Sequence, residues 1–466
     1  MRTRGYLLLR LLPVITAMVA WPCFFSANGQ STARNRTSTF ADAHTWKTWV
    51  INTDALTVPA APTQAQMQKE LSKVKAMMQE RDESIMQQIR YWDAGPPSYR
   101  WNEIGYRLVG PELFSKKDGG VFWYGPMAWM NMAIYDATIA AWKLKYSYQG
   151  QYPSQMDASI KPVIALPQVP SYPCEYSVTA AAAATVLAHF FPEVSDSLIE
   201  LGKKAMYSRV YAGVQFPGSV AAGWDLGKKV AEKVIEAAKA HISGRTWKGS
   251  IPNDANRWRG EFAVGAVTTA LQPIVLRTGN QFRPPAPPDF KKEMEEMKNF
   301  KQNFYTVYQA YRWASSSGLD IWTDFASLRI LERRLDKDAP ACARIYAILH
   351  VSLYDCAIAI MDAKYAYFGI RPFQLESGFT PLIGSTPPFP GYPSGHATAS
   401  SCAATILSHF FPEDSRFFEQ TARECANSRF YAGIHFQTDN SVGLEMGRKL
   451  ANYIIEEWAK KDGAER

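Results

Sequence analysis

The chain spells one corner twice. "YPCEYSVTAAAAATVLAHFFPEVS" (172–195) aligns without a gap on "YPSGHATASSCAATILSHFFPEDS" (392–415). The same offset of about 220 residues carries "SRVYAGVQF" (208–216) onto "SRFYAGIHF" (428–436). Upstream, "YDATIAAWKLKYSYQGQYP" (135–153) matches "YDCAIAIMDAKYAYFGIRP" (354–372) with one residue of slippage. Self-similarity on this scale constrains the fold more than any single element does, because each copy must bury the same faces.

The repeated unit reads as helical. Helical patterns recur at about 122–144, 176–191, 194–210, 219–240, 290–313, 341–363, 395–411, 414–430 and 439–460. Residues 63–92 read as one amphipathic helix with a Thr start and no Gly or Pro inside. No run of alternating strand residues stands out. The expectation is an all-α protein: two related helical bundles packed as one body, with the active site in the C-terminal one. Its parts would be an N-terminal helical half (30–244), a connection (245–289) and a C-terminal bundle (290–466). The connection ends in "QFRPPAPPDF", whose prolines cannot continue a helix.

The first 29 residues differ from the rest. A basic start, an apolar stretch broken by Arg10 and Pro13, and small residues at Ala27 and Gly29 read as a secretory signal. The mature chain is then expected to be exported, periplasmic or secreted, after cleavage near Gly29. No later segment reads as apolar for long enough to span a bilayer. The formal charge of +8 would fall to about +5 without Arg2, Arg4 and Arg10. Such an excess suits an anionic ligand, and without a basic stripe interleaved with aromatics it argues against nucleic acid. Besides Cys23 in the signal, Cys174, Cys342, Cys356, Cys402 and Cys425 show no metal-like spacing and read as buried thiols.

Each copy serves as a control for the other. Tyr-Pro, His-Phe-Phe-Pro-Glu and Tyr-Ala-Gly occur in both, so His189 and His409 read as fold residues. Lys145 matches Lys364 and Arg209 matches Arg429. The copies part where chemistry is possible. Tyr152 stands for Arg371, and Cys174-Glu175-Tyr176 for Ser394-Gly395-His396. Gln215 stands for His435, and Ser219 for Asp439.

Together with the shared Lys364 and Arg429, the residues peculiar to the second copy complete a donor set: Lys364, Arg371, Ser394, Gly395, His396, Arg429 and His435. Arginine forks match a tetrahedral oxyanion pairwise, and lysine adds a point charge. Ser394 falls where a helix begins, so free N–H groups point the same way. Asp439, four residues after His435, can orient that imidazole. His396 can act as acid or base at the anion's other face.

Lys-x6-Arg-Pro (364–372), Pro-Ser-Gly-His (393–396) and Ser-Arg-x5-His-x3-Asp (428–439) together resemble the signature of one superfamily. It unites type 2 phosphatidic acid phosphatases, bacterial acid phosphatases and vanadium-dependent haloperoxidases. The longer "PPFPGYPSGHAT", the proline-rich "QFRPPAPP" and the two-bundle length resemble the haloperoxidase branch. That resemblance implies orthovanadate as cofactor, with His435 as the ligand to vanadium. Lys364, Arg371, Ser394, Gly395 and Arg429 would hold its oxygens, and His396 would be the acid–base residue. Hydrogen peroxide and halide would be the substrates and hypohalous acid the product, with Lys364 polarising the bound peroxide. The same residues could instead hydrolyse phosphate monoesters, with His435 as nucleophile, Asp439 its orienter and His396 as acid. They could also hold an oxyanion without turnover. Phe389 follows the pattern of chloride-oxidising members but Met361 departs from it, which points to iodide or bromide.

Overall fold

The computed structural model describes residues 41–56, 60–112, 124–314, 320–384 and 386–464. The signal expected at 1–29, with Cys23, lies outside the described residues. Helices α1 (Gln64–Gln79), α2 (Glu83–Asp93) and α3 (Tyr99–Glu112) precede α4 (Gly125–Tyr148) and the single turn α5 (Pro153–Met156). Then come α6 (Glu175–Phe190), α7 (Ser195–Tyr211) and α8 (Pro217–Ile242). The 245–289 connection holds one 3-10 turn, Ala266–Ala270, and leads to α9 (Lys291–Asn299), α10 (Phe304–Arg312) and α11 (Asp320–Glu332). Last are α12 (Ala339–Tyr367), the turn α13 (Pro372–Leu375), α14 (Gly395–Phe410), α15 (Ser415–Tyr431) and α16 (Gln437–Ile454). There is no β-strand among the described residues.

Helices α4 and α12 are apolar nearly all round, and such helices must be buried on every side. They pack on each other. α4 also packs on α6 and α8, and α12 on α14 and α16. The two sets correspond pairwise: α6 and α14 have 16 residues each, α7 and α15 have 17. Both Tyr172-Pro173 and Tyr392-Pro393 are cis. Glycine lets the paired helices touch. A Cβ on Gly227 would lie 2.2 Å from the Val178 carbonyl, and one on Gly447 2.1 Å from that of Thr398. Each set also has a buried aspartate peg, Asp136 or Asp355. Asp136 accepts the N–H groups of Trp49, Val50 and Ile51, and Asp355 those of Ile274, Val275 and Leu276.

Several sequence expectations need correction. Residues 63–92 form two helices, because the Asp82 side chain accepts the Ile85 N–H and starts a new one. The stretch 290–313 breaks in the same way at Asn303, which caps α10. Helices α3 and α11 were not anticipated. One helical stretch, 339–375, is long and apolar enough to span a bilayer, contrary to the reading above, but 94% of its apolar window is buried inside the fold. The five described cysteines are buried and free. His189 and His409 sit at the far ends of α6 and α14 and pack edge-on against Phe190 and Phe410, in matching geometry.

Candidate active site

The end of α12, the turn α13, the loop before α14, the end of α15 and the start of α16 meet at one point. They bring together all eight residues singled out in the second copy. Lys364, in the last turn of α12, donates to the carbonyls of Pro390, Gly391 and Pro393 at 2.7–2.9 Å. Arg371 caps the turn α13. Its Nε and Nη2 donate to the Phe389 carbonyl, and its Nη1 to the Ile434 carbonyl at 2.8 Å. Arg429, at the end of α15, donates to Ser428 Oγ and to the Ala310 carbonyl of α10. The three cations thus hold the surrounding loops by neutral carbonyls and one hydroxyl.

All three are buried, and among the described residues none pairs with a carboxylate. A buried charge is costly unless compensated. Burial pushes the Lys364 ammonium well below its ordinary range, with Arg371 adding to the effect. It brings Arg371 and Arg429 down to about 10. An anion of two or three charges placed among them would push all three back up and favour their charged forms.

His435 lies just outside α16, and Asp439 in its first turn. The His435 Nδ1–Asp439 Oδ2 distance is 3.0 Å, and the same oxygen accepts the Phe436 N–H at 3.1 Å. The pairing expected from helical spacing therefore arises from a helix cap. The His435 Nδ1–H donates to the Asp439 carboxylate, which leaves the lone pair on Nε2, where Arg371 Nη1 donates at 3.0 Å. Burial, then Arg371 and Lys364, hold His435 neutral by lowering it far below the usual histidine range. Burial raises Asp439 to about 7 against the pull of Lys364.

Ser394 is the N-cap of α14, its hydroxyl accepting from the Ala397 N–H. Its own N–H is fixed by the Asp439 carbonyl at 3.0 Å, which ties this corner to α16. The N–H groups of Gly395 and His396 open the helix, where no intrahelical acceptor exists. A Cβ built on Gly395 would meet only Ile360 at 3.7 Å and Lys364 Cε at 3.9 Å, so space lies between this helix start and the ammonium. His396 is half-buried, and its Nε2 is shielded from solvent with no hydrogen-bond partner among the described residues. Burial, then Arg429 and Lys364, lower its pKa, while a hydrogen bond with the Trp313 backbone opposes the shift.

These features fit a tetrahedral oxyanion, vanadate or phosphate. They offer uncompensated cations, helix N–H groups facing open space, one imidazole with its lone pair held in place and another with an orphaned nitrogen. Phe389 covers the cationic side, 5.2 Å from Lys364 Nζ and 5.6 Å from the Arg371 guanidinium. It shares an apolar cluster with Met361, Trp258, Tyr365 and Phe368.

Sequence reasoning missed the outer supports. Glu293 of α9 accepts the Thr438 N–H at 2.9 Å and the Thr438 hydroxyl, holding the start of α16 beside Asp439. Ala310 and Trp313 act through their backbones, which no residue type announces. Tyr392, just before Pro-Ser-Gly-His, donates to the Pro285 carbonyl, and Tyr367 to that of Pro284. The proline strap read only as a connection is thus a brace for the site.

Residues 344–460 match the family model of the PAP2 superfamily. Among solved structures, the chain is similar to a bacterial vanadium-dependent iodoperoxidase. The two share 20% identity, covering 77% of this chain and 96% of that one, with a TM-score of 0.59. It is also similar to a bacterial vanadium-dependent chloroperoxidase in apo and holo forms. There the identities are 15% and 16%, covering 73% and 74% of this chain and 94% and 93% of the other, at a TM-score of 0.55 for each. No curated protein sequence matches the chain. At these identities the likeness establishes the all-α fold.

Proposed function

We propose that residues 344–460, which match the PAP2 superfamily, form the centre of a vanadate-dependent haloperoxidase that oxidises iodide or bromide with hydrogen peroxide. The observation that carries the reading is the set of three buried cations, none of them paired with a carboxylate among the described residues, gathered around a neutral imidazole. Bound vanadate would supply the Lewis-acidic centre that activates peroxide toward halide. Lys364, Arg371 and Arg429 would bind and neutralise the oxyanion. Ser394 Oγ and the N–H groups of Gly395 and His396 would hold its oxygens at the helix start. His435 Nε2 would be the vanadium ligand, and Asp439 would keep its tautomer. His396 Nε2, which lacks any partner among the described residues, would give or take a proton at the opposite face.

Met361 and Phe389 share one apolar wall beside Lys364, and on this reading that wall meets the halide. The basic start and apolar stretch within residues 1–29 support export. The test is peroxide-dependent iodide and bromide oxidation by anion-stripped protein, with and without orthovanadate, beside p-nitrophenyl phosphate hydrolysis without it. Halide oxidation that requires vanadate is the expected result. Brisk phosphate release that vanadate inhibits, with negligible halide turnover, would make the chain a phosphatase working through His435. Chloride turned over as well as iodide at neutral pH would sink the halide assignment.

A further inference from the structure

The N-terminal half keeps most of the frame just described. Lys145 is fully buried and donates to the Pro170 carbonyl at 2.6 Å, as Lys364 does to Pro390. Tyr152 donates to the Val169 carbonyl at 2.8 Å, where Arg371 uses that of Phe389. The Cys174 N–H bonds to the Ser219 carbonyl, as that of Ser394 does to Asp439. One position changes the outcome. Glu175 opens α6 where Gly395 opens α14, and its Oε2 lies 2.8 Å from Lys145 Nζ. That oxygen is buried and, apart from this ion pair, has no aligned hydrogen-bond donor among the described residues. At Gly395 a Cβ would point along the same path, toward Lys364 Cε at 3.9 Å.

We infer that Glu175 is a tethered ligand: the N-terminal half contains a second oxyanion cradle, closed by the chain's own carboxylate, that would take a phosphate-shaped anion once Glu175 is removed. The carboxylate supplies from within what the C-terminal cradle takes from solution. Its charge neutralises the buried ammonium, and its tether makes the neutralisation permanent. The inference stands on geometry alone and holds whether the C-terminal site takes vanadate or phosphate.

Binding stoichiometry tests it without reference to turnover. Inorganic phosphate is titrated into the full chain by equilibrium dialysis, with circular dichroism confirming the fold. Glu175→Gly and Glu175→Ala are each expected to bind one more phosphate per chain than the unaltered protein. The added site should be weaker than one with a full donor set, since Tyr152 and Gln215 stand where the other half has Arg371 and His435. The reciprocal Gly395→Glu is expected to lose the C-terminal phosphate, and to lose more affinity than Gly395→Gln, because only the acid can neutralise Lys364. If the unaltered chain binds neither phosphate nor orthovanadate but Glu175→Gly binds one phosphate, the inference holds and the proposed function falls. Folded Glu175 variants that bind no additional phosphate would overturn the inference. So would Gly395→Glu binding phosphate as tightly as the unaltered chain. Should neither Glu175 variant fold, even in phosphate, the Gly395 pair decides.

Discussion

The two cradles differ in who supplies the negative charge. In the N-terminal half each buried cation has a carboxylate of its own: Lys145 has Glu175, and Arg209 has Asp93 from α2 at 2.8 Å. Tyr176 closes that corner with its ring 4.2 Å from the Arg209 guanidinium. In the C-terminal half, among the described residues, Lys364, Arg371 and Arg429 have carbonyls, a hydroxyl and an imidazole as acceptors, and the Asp439 carboxylate near them bonds to His435 and the Phe436 N–H instead. One backbone plan thus serves two ends. Compensated from within, it is a packing element. Left uncompensated, it holds several positive charges in a low dielectric and demands an external anion. Strain of this kind belongs to functional sites, where the fold around it sustains the cost.

Six residues of the armed cradle have a natural replacement in the sealed one, so the comparison can be broken one position at a time. His435→Gln, after Gln215, should have the largest effect. Peroxide-dependent halide oxidation at saturating vanadate should fall by about 10³-fold or more, because no other described imidazole offers its lone pair there. Initial rates would show it, and near-normal rates would remove His435 from the centre. His396→Tyr, after Tyr176, should lower kcat by about 10²-fold or more while phosphate or vanadate still binds. A change confined to anion affinity would make His396 a binding group instead. Asp439→Ser, after Ser219, should weaken vanadate affinity by about 10–100-fold through loss of the His435 tautomer. Vanadate-dependent activity titrations read this directly, and an unchanged midpoint would mean that the Arg371 contact, not the Asp439 carboxylate, positions the imidazole.

The last test concerns stability. His350 of α12 aligns with Asn131 of α4 and is buried with a pKa lowered by burial to about 3. Its folded pKa lies below the ordinary 6.5, so the unfolded chain binds the proton first. Its contribution to stability is therefore whole above about pH 6.5 and drains away as pH falls toward 3. His350→Asn should flatten the acid limb of the unfolding curve by up to about 1.4 kcal/mol per pH unit in that window. Denaturant melts at pH 4, 5, 6 and 7 would measure the slope. A slope equal to that of the unaltered protein would show that His350 is protonated in the fold.

The sequence made some of this legible and hid the rest for identifiable reasons. The bundle helices were readable because a long apolar pattern bounded by Pro, Ser and Gly has few alternatives. Breaks at Asp82 and Asn303 were missed because a polar residue mid-pattern looks like an exposed helix position until its side chain is seen to cap. Six of the eight residues of the candidate site were visible as differences between the two copies, and Lys364 and Arg429, which both copies share, were visible through the motifs that carry them. Glu293, Tyr367 and Tyr392 were not, since nothing local marks a side chain that braces a distant loop.

By itself the sequence determined the helical repeat, the donors of the second copy and the substitutions in the first. Only the tertiary structure decided which charges are paid for within the chain. Lys145 and Lys364 are the same residue in the same register. The first meets Glu175, and the second meets open space beside Gly395. Arg209 and Arg429 differ likewise, because α2 delivers the Asp93 carboxylate to one and α10 only the Ala310 carbonyl to the other. Compensation depends on distances of a few ångströms between segments up to about 120 residues apart in the chain. In a buried setting those distances fix the sign and size of the interaction. No order of residues along the chain states them.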